Sequence, residues 1–225
     1  MSATRIAEGV QARIHRHVLD PWHDRRLGID ASGLHWPDEL ALPGRNAAHA
    51  NEYFGTPSWV FGRALDALGL ETRRFVFVDL GSGKGRSLLL AAGRPFLRVE
   101  GVELSEAMHR VALRNIARAK EAGALCAPVV AHRKDVTDYE LPREPFILYL
   151  FNPFGEAVVS KLLDNLEASL RDCPREGYLI YLNAKHRNCV DRRFFLQEMP
   201  RSTWAKAMDR LISPWPIVIY RTRSG

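Results

Sequence analysis

The stretch Phe75-Val-Phe-Val-Asp79-Leu-Gly81-Ser82-Gly83-Lys84-Gly85-Arg86-Ser-Leu-Leu-Leu90 constrains this chain more than any other. A run of strand formers ends in an acid, passes through glycine at every second position and re-emerges as an apolar helical run. A strand that apolar is buried on both faces, as in a parallel sheet. Glycines spaced that way let the backbone approach a ligand where side chains would block it. The stretch therefore predicts an open α/β sheet with a ligand site outside the carboxyl ends of its strands.

The remaining text agrees. After Arg74, short β-rich runs alternate with longer helical stretches, the pattern of a parallel sheet covered on both faces. Strands are predicted at Phe75–Leu80, Arg98–Glu103, Pro128–Ala131, Phe146–Phe151, Gly177–Asn183 and Ile217–Arg221, with one more near Ser202–Ala207 closing a terminal hairpin. Helices are predicted at Gly85–Ala92, Glu106–Glu121, Gly155–Arg171 and Asp191–Glu198. The expected fold class is α/β, a doubly wound, mostly parallel seven-stranded sheet with helices on both faces and an N-terminal helical arm. In the arm, Ile6, Val10, Ile14 and Val18 recur every fourth residue, a packing stripe on a helix that Asp20-Pro21 should end. From Pro21 to Gly55 the text reads as loops, and helical spacing returns from Trp59 to Gly69. The expected division is an arm over residues 1–58, able to act as a lid, and a ligand-binding domain over 59–225.

Several function classes drop out. The longest strongly apolar run, Phe146–Phe151, is six residues, against about 20 for a membrane-spanning helix. With no signal-like amino terminus, a soluble cytoplasmic protein without a membrane partner is expected. Cys126, Cys173 and Cys189 are odd in number and far apart, a poor basis for disulfides or zinc. His15 and His17, two apart on a helix, point to different faces, so no metal site is expected. The net charge of +6 favours acidic partners, but clusters such as Asp24-Arg25-Arg26 and Asp191-Arg192-Arg193 read as solvated surface.

Three ligand classes use glycine turns, and spacing separates them. A P-loop fails, because Gly83-Lys84 is followed by Gly85 and its first glycine would be Val78. The dinucleotide fingerprint would put its third glycine at Arg86, although Glu103 supplies the later acid. The Asp79-x-Gly81-x-Gly83-x-Gly85 pattern, with Glu103 closing the second strand, resembles the class I S-adenosylmethionine-dependent methyltransferases. That resemblance implies S-adenosyl-L-methionine as cofactor. Its methionine part would lie over the turn Gly81, Ser82, Gly83, Lys84 and Gly85, with Asp79 holding the amino-acid end. Glu103 would accept both ribose hydroxyls, Asp135 the adenine amino group, with the Val136 amide facing the ring and Leu104 covering it. Core packing also accounts for Leu104.

The fourth strand ends in Asn152-Pro153-Phe154. This resembles the Asn-Pro-Pro-Tyr/Phe motif of methyltransferases acting on planar nitrogens, with one proline missing. It implies catalytic roles for Asn152, whose carbonyl would accept an acceptor N–H, and Phe154, whose ring would stack. A strand-to-helix turn capped by Asn152 explains the same residues. Tyr53, Thr56 and Pro57 stand where a lid would fold over the cofactor, or where a linker would pack on the sheet edge. The Asp-Leu-Gly-Ser-Gly run also resembles the non-SET histone-lysine methyltransferases. The expected activity is methyl transfer to an acceptor the sequence leaves open, protein, nucleic acid or small molecule, a protein side-chain nitrogen among them. A nicotinamide-dependent oxidoreductase and a non-catalytic cofactor-binding module are the alternatives. Glu52, Tyr53 and Tyr181 are the candidate bases, and oligomeric state is open.

Overall fold

The computed structural model describes residues 10–35, 46, 51 and 53–223. Ile6 and Glu52 lie outside them, as do the first residues of the predicted arm helix. Seven strands form the main sheet: β3 (Val76–Leu80), β4 (Arg98–Glu103), β5 (Val129–Arg133), β6 (Phe146–Phe151), β7 (Gly177–Leu182), β8 (Leu196–Glu198) and β9 (Ile217–Thr222). Their order is β5-β4-β3-β6-β7-β9-β8. β3 to β7 run parallel, and β9 is antiparallel to both β7 and β8. β3 is central and all five of its residues are buried, as its apolar text requires. The chain order reverses at β3, between β4 and β6, so a crevice opens beyond its carboxyl end.

Alternate side chains feed two cores. Val76, Val78 and Leu80 pack with Val158, Val159, Leu162 and Leu166 of α6 (Glu156–Asp172) on one face. Phe75 and Phe77 pack on the other face with Phe61 and Leu65 of α3 (Ser58–Asp66) and Leu88 and Ala91 of α4 (Arg86–Ala92). The predicted stripe of the fourth helix is thus the buried face of α6. α5 (Glu106–Glu121) matches its expected bounds, started by Ser105, whose hydroxyl accepts the Met108 N–H.

The carboxyl-terminal third departs from expectation. The predicted helix Asp191–Glu198 is a short α7 (Arg187–Asp191) followed by β8, and the predicted strand at Ser202–Ala207 belongs to α8 (Thr203–Ile212). Ser202 caps α8 by accepting the Ala205 N–H, and β8, not this segment, completes the hairpin with β9. A three-residue edge strand is too short for periodicity to register.

The arm departs too. α1 (Val10–Ile14), a π-helical turn His15–Leu19 and α2 (Asp20–Leu27) follow without a break, so Asp20-Pro21 does not end the helix. The Asp20 N–H reaches His15 O, re-registering the ladder just before the residue that lacks a donor. The stop comes at Gly28, φ 65°, with the Ile29 N–H on Asp24 O. Ile14 and Val18 of the expected packing stripe are 45% and 59% exposed. The inward face carries Ala12, His15, Asp20 and Asp24 instead, while His17 is exposed. A short antiparallel pair, β1 (Leu34–His35) and β2 (Tyr53–Phe54), brings the arm to the crevice.

No described helix is long and apolar enough to cross a membrane. Cys126, Cys173 and Cys189 are all unpaired.

Candidate active site

The crevice beyond β3 is a partly open cleft. Gly81, Gly83 and Gly85 take φ of 90°, 52° and 82°, the left-handed region where only glycine is free of strain. Gly81 and Ser82 N–H both reach Val102 O at 2.9 and 3.0 Å, tying the turn to β4. A Cβ on Gly81 would lie 2.6 Å from Pro153 Cβ, and one on Gly83 would lie 2.1 Å from the Tyr53 ring. The turn is therefore covered at two points, by the end of β6 and by the arm.

Two carboxylates flank it. Asp79 is buried, accepts from the Ser87 hydroxyl, and is pushed up to about 7 by burial, against the Ser87 hydrogen bond. Glu103 accepts the Gly83 N–H at 2.8 Å on one oxygen and the Ser105 N–H at 2.7 Å on the other. Burial raises its pKa and these backbone donors oppose the rise. The Leu104 N–H also favours the ionised group, so Glu103 is held in a fixed orientation with acceptor capacity left for a ligand.

Asp79, Gly81, Ser82, Glu103, Leu104, Asp135 and Val136 all line the cleft, with Tyr53 and Thr56 from the arm and Phe154 from the β6 end. Asp135 accepts from Thr137 N–H and hydroxyl and, at 2.9 and 3.1 Å, from the Asn46 amide of the arm. The Tyr53 hydroxyl donates to Ala31 O at 2.9 Å. Thr56 stands 3.4 Å from the buried Tyr149 hydroxyl.

Five expected residues stand outside the walls. Gly83 lies under Tyr53, and Gly85 packs on Ala112. Lys84 turns away to Asp30 Oδ1 and Ser32 O at 3.1 and 3.0 Å. Pro57 is the residue before α3. Asn152, 5% exposed with φ 44°, has a buried Oδ1 without a hydrogen-bond partner. Its backbone carbonyl accepts from the Asn51 amide at 2.9 Å, and Asn51 N–H reaches Pro153 O at 3.0 Å. Among the candidate bases, Tyr181 lies in the core under α6 and α7, pushed up to about 12 by burial, and is not one of the cleft walls. Tyr53 is likewise raised by burial.

Sequence reasoning missed Arg86, which also lines the cleft. It is 1% exposed and lies between Asp20 and Asp24 of α2, so Asp24 is not the surface residue its neighbours Arg25 and Arg26 are. The available signal was a lone cation opening an otherwise apolar helix, since a buried charge needs partners, and Asp20 and Asp24 one helical turn apart. Phe54 and Phe151 were missed as well. They line the cleft and meet Trp215 with ring centroids 4.8 and 5.4 Å away.

No family model and no curated protein matches the chain. Solved structures do. An Escherichia coli putative methyltransferase aligns with a TM-score of 0.53 at 12% identity, over 74% of this chain and 88% of that one. A T. thermophilus 16S rRNA methyltransferase, in complex with AdoMet and guanosine, aligns with a TM-score of 0.51 at 21% identity, over 76% of this chain and 44% of that one. With the strand order and the antiparallel β9, these likenesses make the fold that of the class I S-adenosylmethionine-dependent methyltransferases. The doubly wound, mostly parallel seven-stranded sheet expected from the sequence is the one observed.

Proposed function

We propose that the protein is an S-adenosylmethionine-dependent methyltransferase. The observation that carries the reading is the glycine turn at the end of β3, bound to the Glu103 carboxylate at the end of the neighbouring β4. The residues present fit the cofactor. Gly81 and Gly83 leave the backbone bare, Glu103 offers oriented acceptor oxygens, Asp79 a buried carboxylate at the other end, and the buried Ser82 hydroxyl has no partner of its own. When bound, the cofactor supplies a methyl group already activated by its sulfonium. The chain's own task is then alignment and exclusion of water, effects worth up to about 7–11 kcal/mol of barrier. Tyr53 and Thr56 from the arm, Pro153 and Phe154 from the β6 end and Leu104 beyond β4 are the walls that would perform it.

The acceptor we propose is a planar nitrogen. Asn152 Oδ1 is a buried carbonyl oxygen with no donor, an arrangement that costs about 1–3 kcal/mol until an N–H arrives. Phe54, Phe151 and Phe154 offer aromatic faces in the cleft, and Asn152 stands behind that wall, between Phe151 and Pro153 in the chain. A side-chain amide of a protein and an amino group of a nucleobase present the same planar N–H, and the guanosine-bound rRNA methyltransferase adds weight to the second.

A thermal-shift panel tests the cofactor. At a hundredfold excess over its dissociation constant a ligand of the native state adds about 2.7 kcal/mol, or about 5–10 °C for a chain of this length. S-adenosylmethionine and S-adenosylhomocysteine are expected to give that shift and nicotinamide dinucleotides none. Glu103→Ala should weaken the sulfur cofactors by roughly 1.5–3 kcal/mol. A shift with dinucleotides alone would sink the reading. Labelled methyl offered to protein and RNA pools then identifies the acceptor.

A further inference from the structure

We propose that Arg86 is a positioning residue that fastens the arm over the glycine turn and thereby sets cofactor affinity without holding the cofactor itself. The inference rests on the methyltransferase reading and deepens it. The guanidinium is fully committed. Nε donates to Asp24 Oδ1 at 3.1 Å, Nη1 to Thr56 O at 3.3 Å with Asp20 Oδ2 at 3.1 Å, and Nη2 to Asp24 and to the Ser32 hydroxyl, each at 2.8 Å. An arginine has five N–H donors, so none is left for a ligand.

Its partners lie on successive parts of the arm. Asp20 and Asp24 belong to α2. Asp24 Oδ2 also accepts the Ala31 N–H at 3.0 Å and the Ser32 hydroxyl at 2.6 Å, which fixes the segment after α2. Ala31 O in turn receives the Tyr53 hydroxyl, and the Tyr53 ring rests on Gly83. Gly55 lets the chain pass between these groups, since a Cβ there would lie 2.6 Å from Ala31 O and 2.8 Å from Arg86 Nη1. Arg86, the first residue of α4, thus reaches Gly83 by two routes, back along the chain through Gly85 and Lys84 and across space through Asp24, Ala31 and Tyr53. Without it, Asp20 and Asp24 become buried, unpaired carboxylates that must find water. Segment 30–32 lifts, and Tyr53 loses its anchor over the turn. Because such coupling is reciprocal, bound cofactor should steady the arm as the arm steadies the cofactor.

Calorimetric titration of the full chain with S-adenosylhomocysteine at 25 °C tests this. Arg86→Gln is expected to bind at least tenfold more weakly than wild type, and Arg86→Lys, which keeps the charge and loses the fork, to fall between them. Tyr53→Phe should weaken wild type and add almost nothing in the Arg86→Gln background, a non-additivity that general loss of stability would not produce. Arg63→Gln is the control, because Arg63 joins α3 to Asp209 of α8 at 3.0 Å away from the cleft walls. It should lower the melting temperature and leave affinity unchanged. Should Arg86→Gln fail to fold, Arg86→Lys carries the test. A folded Arg86 variant that binds S-adenosylhomocysteine as tightly as wild type overturns the inference while leaving the methyltransferase reading intact. A wild-type protein that binds none overturns both.

Discussion

The two sides of the cleft end the same parallel sheet and are built from different materials. At the ends of β3 and β4 the surface is main chain, with left-handed glycines, the Glu103 carboxylate tied to the Gly83 and Ser105 N–H groups and the Asp79 carboxylate to the Ser87 hydroxyl. At the end of β6 the surface is side chains: Phe151 and Phe154 of that strand end, Phe54 from the arm, and Trp215 from the approach to β9 behind them. The one left-handed residue there is Asn152, whose side chain has its oxygen unpartnered. Each side leaves a buried polar atom for a partner to satisfy, the Ser82 hydroxyl on the first and the Asn152 side-chain carbonyl on the second.

The hardest test of that contrast is Gly81→Ala, where the two sides touch. The added Cβ would sit 2.6 Å from Pro153 Cβ at φ 90°, and strain of roughly 1–3 kcal/mol together with the clash should weaken S-adenosylhomocysteine by about a hundredfold. Gly123→Ala, at φ 66° with nothing within 4 Å, carries the backbone strain alone and should leave affinity as it was. Affinity of the Gly81 variant within threefold of wild type would mean that the bare main chain is not what the cofactor needs.

A medium effect should come from pH. Burial holds Asp79 near 7 in the free protein, and an ammonium beside it would favour the ionised form. A group of pKa about 7 is about nine-tenths protonated at pH 6 and one-tenth at pH 8, so affinity should fall about tenfold from pH 8 to pH 6, with proton release on binding. Stability of the free protein runs the other way. Asp79, near 7, and Asp20, raised to about 6 by burial against the opposing pull of Arg86, both bind protons more tightly folded than unfolded. Their contribution is full below the ordinary carboxylate range and is lost as pH rises through 6 and 7. Affinity that does not change between pH 6 and 8 would take Asp79 away from the charged end of the cofactor.

What could be read in the sequence follows the same division. Buried parallel strands and a glycine turn are local, so Arg98–Glu103, Phe146–Phe151 and Glu106–Glu121 coincide with the observed elements and the turn falls where its spacing puts it. The arm and the aromatic end are assembled from distant residues. Arg86 registered only as a missing third glycine, because its meaning depends on Asp20 and Asp24 more than sixty residues earlier. Pro21 read as a helix stop, whereas the π turn ahead of it carries the helix through, with the Asp20 N–H on His15 O. Ile14 and Val18 had the right spacing for a packed stripe, yet it is the Asp20 and Asp24 face that turns inward, held by charge.

Asn152→Ala should have the smallest effect on cofactor affinity, within about twofold, because the Asn152 side-chain oxygen has no hydrogen-bond partner to lose and its backbone bond from Asn51 is kept. Alanine tolerates the left-handed conformation less well than asparagine, so about 1 kcal/mol of stability should be lost. Asn152→Gly removes the same amide without that strain and separates the two costs. If the unpartnered oxygen waits for an acceptor N–H, both variants should bind S-adenosylhomocysteine normally and fail to transfer labelled methyl to the pool that wild type labels. Transfer at the wild-type rate would make Asn152 a turn residue and no more. Loss of affinity together with transfer would break the contrast itself, since the end of β6 would then belong to the cofactor's surface as much as Gly81 does.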